Sequence, residues 1–271
     1  MWSTYEDICP IDHVTNAQNR SYWTDPILRK KSEEGDLDGL AARKRDLKIE
    51  LLEEVADQTG KVFDPDVITI VWARRFAAYK RADLLTWDEE AFNQLLHNQD
   101  QPIQIIWAGK PYPMDYGAIN TFNRLVTLSR RYLNIAVLVN YELSVSKLLK
   151  QGSDVWLNTP RVTREASGTS GMTAAMNATI NFSTYDGWIP EFAKDGINSF
   201  IIPKTDLTQE IEQQDQDDLN QAYAILTEQI IPCYYDQSEQ WHKMMQSSMT
   251  QILPFFDASR MAREYYEKIY R

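Results

Sequence analysis

Four cations crowd the stretch "ARRFAAYKRADLL": Arg74, Arg75, Lys80 and Arg81. They follow the apolar run "VITIVWA" (67–73) and open what reads as a helical segment. Basic side chains at a helix start oppose the helix dipole, so their placement points to an anionic ligand, most simply phosphate. The plainer alternative is a solvated basic turn that pairs with carboxylates elsewhere. A second stretch, "EASGTSGMTAAMN" (165–177), follows "DVWLNTP" (154–160). Glu165 can accept hydrogen bonds from sugar hydroxyls, and Ser167 and Gly168 offer a hydroxyl and bare amides. Thr169 to Gly171 can turn N–H groups toward a phosphate. Two further positions carry less weight: Gly109 with Lys110, and Tyr141, which at a strand end is more often packing than binding.

These residues need a scaffold that gathers the ends of separate strands. The runs "VITIVWA", "IQIIWAG" (103–109), "NIAVLVN" (134–140), "DVWLNT" (154–159), "ATINFST" (178–184) and "SFIIP" (199–203) are apolar on both faces. Such strands belong to a parallel sheet covered by helices. Helical patterns lie between them. "TWDEEAFNQLL" sets Thr86 and Glu89 in capping-box register, and "LNQAYAIL" puts Leu219, Ala222, Ile225 and Leu226 on one face. The expectation is an α/β fold with a doubly wound, Rossmann-like parallel sheet and right-handed crossovers, its ligands bound at the carboxyl ends of the strands.

The flanks read differently. Residues 1 to about 35 have few periodic signals and resemble a connecting arm. From Asp36 to about Gln58 the pattern predicts an amphipathic helix, with Leu40, Leu47, Leu51 and Val55 on one side and Gly60 as its stop. The division expected is therefore an arm and helix over 1–60, then the Rossmann-like domain over 61–271. After Pro232 the chain is helical again, and "EIEQQDQDD" reads as a solvated acidic stretch.

The net charge of −11 over 271 residues argues against nucleic acid and anionic membranes as partners. Cys9 and Cys233 are too far apart in sequence to suggest a metal site, and they fit reduced thiols of a cytoplasmic protein. "MWSTYEDICP" lacks the basic-then-apolar pattern of a signal peptide.

Taken together, "ARRFAAYKRADLL", "GSDVWLNTPR" and "EASGTSGM" closely resemble the α-glucan (glycogen, starch, maltodextrin) phosphorylases, best their short bacterial branch. The resemblance implies a GT-B glycosyltransferase, with two Rossmann-like domains facing a cleft. This chain would be the C-terminal half, and the N-terminal half would be a missing partner domain. "HVTNAQN" (13–19) would be the link into it, and the last helices would cross back toward the partner. It further implies phosphorolysis of terminal α-1,4-linked glucose to glucose 1-phosphate, with an α-glucan and phosphate as substrates. The cofactor implied is pyridoxal phosphate, whose phosphate exchanges a proton with the substrate phosphate. By position, Arg75 and Lys80 would hold the substrate phosphate, with Arg74 and Tyr141 beside the cofactor. Thr169 and Ser170 would donate to the cofactor phosphate, and Glu165, Ser167 and Gly168 would hold the glucose hydroxyls. A homodimer is compatible with this picture.

The pattern breaks at one position above all. The family's cofactor-anchoring lysine follows the methionine of "SGM", and here Thr173 stands there. A hydroxyl forms no imine, and the next lysine along is Lys194, so covalent pyridoxal phosphate is not expected. Asn19 stands where related sequences usually have a histidine, and "RVTR" replaces a more apolar segment. One reading is therefore a domain with lost or altered catalysis, kept as a glucan- or phosphate-binding or assembly module, with or without a cofactor. Another is the catalytic half of an active phosphorylase, holding the cofactor through phosphate contacts alone. A third is a sugar-nucleotide glycosyltransferase. On its own, the chain is expected to be inactive.

Overall fold

The structure, a computed structural model, describes residues 12–270, so Cys9 and the first part of the arm lie outside the described residues. Among the described residues, six strands form one parallel sheet: β1 (Ile68–Ala73), β2 (Ile103–Ala108), β3 (Ile135–Leu138), β4 (Val155–Asn158), β5 (Ile180–Thr184) and β6 (Ser199–Ile202). Their order, β3-β2-β1-β4-β5-β6, is that of the doubly wound dinucleotide-binding fold. Each run predicted as a strand is one, because apolar residues on both faces demand cover on both sides.

The helices are α1 (Arg20–Trp23), α2 (Pro26–Glu34), α3 (Leu37–Thr59), α4 (Glu89–Leu96), α5 (Tyr116–Ser129) and α6 (Leu143–Gly152). They continue as α7 (Thr169–Ala175), α8 (Ile189–Phe192), α9 (Ile211–Ile225), α10 (Ile231–Asp236), α11 (Ser238–Phe255) and α12 (Ala258–Lys268). On one face of the sheet, Val71, Ile106 and Trp156 pack against Leu51 and Val55 of α3 and Leu149 of α6. On the other, Ile70, Trp72 and Trp107 pack against Phe92 of α4, Leu125 of α5 and Ala222 of α9.

α3 runs as its pattern predicts. Asp36 caps its first turn by accepting from the Gly39 amide at 2.8 Å, and Gly60 ends it at φ 71°. Within the arm, α1 and α2 form under Asn19 and Asp25 caps. Two expectations need correction. The cap of α4 is Asp88, which accepts from the Ala91 amide at 2.9 Å, rather than Thr86. The acidic stretch is not wholly solvated either, because Asp215 and Asp218 of α9 are buried and ion-paired. At the end of the chain α11 packs on α2, α3 and α7. Gln18 then exchanges backbone hydrogen bonds with Phe256 and Ala258, tying the C-terminal helices to the arm.

Candidate functional site

Strand order reverses between β1 and β4, and the loops that leave a sheet on either side of such a point diverge to leave a crevice. Both chemistry-bearing stretches leave the sheet there. Past β1 the chain stays beside the chain past β2, because the Arg74 amide donates to the Ala108 carbonyl and the Phe76 amide to the Lys110 carbonyl. Gly109 makes that approach possible. At φ 148°, a Cβ there would lie 1.9 Å from the Arg74 carbonyl oxygen. A short 3₁₀ turn, Ala78–Lys80, then swings Lys80 back over the strand ends. Two bonds fasten that turn to the segment past β4: the Arg161 amide to the Tyr79 carbonyl at 2.8 Å, and the Thr159 hydroxyl to the Lys80 carbonyl at 3.2 Å.

The result is a compact ion cluster. Glu165 Oε2 accepts from Lys80 Nζ at 2.6 Å and from Arg74 Nη1 at 3.1 Å. Arg74 Nη2 donates to Ser170 Oγ at 3.0 Å. The Arg74 side chain is only 7 % exposed, and its Nε is buried without a partner among the described residues. Burial pulls the Arg74 guanidinium below its usual range, opposed by Glu165. Glu165 is thus shared by two cations in a largely buried setting. The turn before α7 is built to hold Glu165 in place. Its amide donates to Asp186 Oδ2 at 2.8 Å, and the Trp188 amide to the Ser167 carbonyl at 2.9 Å. Gly168 caps α7 at φ 78°, a left-handed conformation suited to glycine.

Beside the cluster lies a cleft of about 440 Å³, shared by Tyr141, Thr169, Ser170 and Thr173 with Trp23 and Lys150. Ser170 belongs to both, so the cleft and the ion cluster are continuous. Tyr141 lies within hydrogen-bond distance of Ser146 Oγ at 3.2 Å, and burial raises its phenol above the usual range. Thr173 is buried, its hydroxyl donating to the Ser170 carbonyl of its own helix at 2.9 Å. A larger surface cavity, about 760 Å³ between α4 and α5, includes none of the predicted site residues.

The predicted residues therefore divide. Arg74, Lys80, Glu165 and Ser170 meet directly, and Tyr141 and Thr169 line the adjoining cleft. Ser167 and Gly168 lie in the turn that follows Glu165, and a Cβ on Gly168 would come 3.5 Å from Glu165 Cγ. Arg75 is exposed, does not line the cleft, and makes no ion pair among the described residues. Arg81 departs from the phosphate cluster altogether. It is fully buried, bound to Asp215, Asp218 and the Thr159 carbonyl, and it serves the fold. Sequence reasoning missed Trp23, Ser146, Asp186 and above all Lys150. Ser146 and Lys150 are buried in α6, a burial that the periodicity of so short a segment did not reveal.

The fold and site together are those of a doubly wound α/β protein whose cations and carboxylate converge at the switch point. The comparisons sharpen that class. Residues 25–199 match the family model described as carbohydrate phosphorylase, and the chain belongs to that family. It is 47 % identical over its whole length to half of an uncharacterised protein of Methanocaldococcus jannaschii. It is 38 % identical over 76 % of its length to a quarter of the maltodextrin phosphorylase of Thermococcus litoralis. Against the glycogen phosphorylase of Aquifex aeolicus it is 30 % identical over its whole length, covering 45 % of that protein. The chain thus spans half or less of the length of these relatives.

Proposed function

We propose that these residues form the phosphate-side wall of an α-glucan phosphorylase-type active site, in a cytoplasmic protein, with the facing wall supplied by polypeptide beyond these 271 residues. The observation that carries this reading is the convergence of Arg74, Lys80 and Glu165 at the β1/β4 switch point. In it, Lys80 and the exposed Arg75 take the substrate phosphate, and Glu165, with Ser167 and Gly168, takes glucose hydroxyls. Two cations already neutralise Glu165, so an incoming phosphate competes with a carboxylate rather than meeting bare charge. That competition keeps binding reversible.

Pyridoxal phosphate is the group the family implies, and when bound it supplies a phosphate that exchanges a proton with the substrate. The residues present fit its phosphate end. Arg74 has a buried Nε, unpartnered among the described residues, its Nη2 sits on Ser170, and Thr169, Ser170 and Tyr141 line one cleft. Arg74 and the two hydroxyls bind and orient the group, while Tyr141 stays protonated and donates. A second reading, a non-catalytic phosphate- or glucan-binding module, draws on Thr173, whose hydroxyl is satisfied within its own helix. Turnover is assigned to the two walls together, because one wall neither encloses a glucose nor excludes water from it.

Thermal melting against inorganic phosphate and glucose 1-phosphate tests the site. A ligand at one hundred times its Kd stabilises by about 2.7 kcal/mol. The expected result is a dose-dependent rise in Tm that is lost in Lys80→Met and kept in Lys194→Met. A melting curve indifferent to both ligands would overturn the assignment. Release of glucose 1-phosphate from maltodextrin separates the catalytic reading from the binding module.

A further inference from the structure

Thr173 leaves α7 without an amine, but the neighbouring helix supplies one to the same cleft. Lys150, in the last turn of α6, is only 5 % exposed. The other buried lysines are fully engaged. Lys44 Nζ donates to the Gln151 and Asn177 carbonyls and the Thr179 hydroxyl. Lys48 is paired with Asp154 at 2.6 Å, and Lys80 with Glu165. Lys150 Nζ has a single hydrogen-bond partner, Ser146 Oγ at 2.9 Å, and makes no carboxylate pair among the described residues. Its remaining surroundings are the Trp23 ring, 3.7 Å from Nζ to the centroid, and the cleft.

A buried ammonium with one acceptor is poorly solvated, so the neutral amine is favoured. Burial accordingly pushes Lys150 down to about 7. A neutral amine carries a free lone pair, as carbonyl-reactive lysines in apolar pockets do.

We propose that Lys150 is the carbonyl-reactive amine of this cleft, taking over from α6 the imine-forming role that Thr173 cannot fill and condensing with the aldehyde of pyridoxal phosphate. The proposal rests on the phosphorylase-type reading for the choice of aldehyde, while the amine and its cleft stand on geometry. The Nζ lone pair adds to the carbonyl carbon and forms a C–N bond. Both protons of the amine end on the former carbonyl oxygen, which leaves as water, and C=N remains. The hydroxyls of Ser146 and Tyr141, 3.2 Å apart, offer the relay for those protons. Ser170, which lines the cleft and touches Arg74, puts phosphate-binding groups on the same compound's path.

The experiment incubates the full chain with pyridoxal phosphate near neutral pH and follows the near-ultraviolet and visible absorbance. The product is then reduced with borohydride, digested and mapped by mass spectrometry. The expected result is one reduced adduct on the Lys150 peptide, lost in Lys150→Met and kept in Lys44→Met. Adducts spread over exposed lysines such as Lys194, with none at Lys150, would overturn the proposal. So would pyridoxal phosphate that survives gel filtration but leaves no borohydride-fixed mass; that outcome spares the phosphate-site reading, which the melting shift tests separately. Should Lys150→Met fail to fold by circular dichroism, the map of the unsubstituted chain decides.

Discussion

Arg75 and Arg81 lie six positions apart in one basic stretch and do opposite work. Arg75 stays in solvent. Arg81, in the left-handed region at φ 45°, turns inward and donates to Asp215 Oδ1 at 2.8 Å and to the Thr159 carbonyl at 2.9 Å, with Asp218 on its other nitrogen. Burial pushes the Asp218 carboxyl up, and Arg81 holds it against that push. Removing one partner from a buried pair costs about 3–5 kcal/mol, because the other charge remains without compensation. Arg81→Met is therefore expected to lower the unfolding free energy by an amount in that range, read as a fall in the urea midpoint. Asp215 retains Arg161 at 2.5 Å, so the loss falls chiefly on Asp218. The phosphate-dependent melting shift should survive if the remaining protein folds, which separates a cation of the fold from a cation of the site. A midpoint unchanged by the substitution would contradict the structural role.

At the scale of elements, the site exists because β1 and β4 are neighbours although the chain between them makes two other strands. The closeness of the β1 and β2 exits depends on Gly109. An added Cβ would meet the Arg74 carbonyl at 1.9 Å, at a φ of 148° that side chains rarely adopt. Overpacking and backbone strain each cost about 1–3 kcal/mol. Gly109→Ala should thus destabilise by about 3 kcal/mol or more and displace Arg74. Gly60→Ala, also at positive φ but with nothing within 4 Å, should cost about 1 kcal/mol. Chemical denaturation of the two variants checks the contrast, and equal losses would refute it. The strands were legible in the sequence because burial on both faces leaves unbroken apolar runs. The meeting of Glu165 with Arg74 and Lys80 was legible only through motif resemblance, since no local pattern encodes strand order. Lys150 was hidden for a physical reason: a lysine in the last turn of an amphipathic helix ordinarily faces water. Asp215 and Asp218 were hidden likewise inside an acidic run, where solvation is the ordinary outcome. Thr86 was read as a cap because its register suited one, but Asp88 lies nearer the turn that forms.

Across the whole molecule, buried amines set how stability answers to pH. Lys44 and Lys150 are both pushed down by burial to about 7, whereas in the unfolded chain each titrates near its ordinary 10.5. Between those values the unfolded state binds more protons than the folded one. Stability therefore rises with pH from about 7 upward, by up to about 1.4 kcal/mol per pH unit for each group. Below about 7 both ammonium groups are charged inside the fold, and their burial cost is then fully present. The net charge of −11 opposes this trend, since losing protons raises self-repulsion. That repulsion is screened beyond about 8 Å at physiological salt and is spread over the surface, so the local desolvation of two amines outweighs it. The trend has an upper limit. Burial raises the Cys233 thiol and the Tyr223, Tyr234 and Tyr235 phenols, so the folded state holds those protons longer and stability falls as the unfolded groups ionise. The urea midpoint is accordingly expected to climb from pH 7, more gently once the unfolded thiol ionises near 9, and to turn over near 10, where the unfolded phenols ionise. Lys44→Met and Lys150→Met should each flatten the climb, and Lys150→Met, which removes a single hydrogen bond where Lys44→Met removes three, should raise stability most at the acid end of that window. A midpoint that is flat or falling between pH 7 and 9 would mean that these amines stay charged and solvated, and Lys150 would then have no free lone pair at neutral pH.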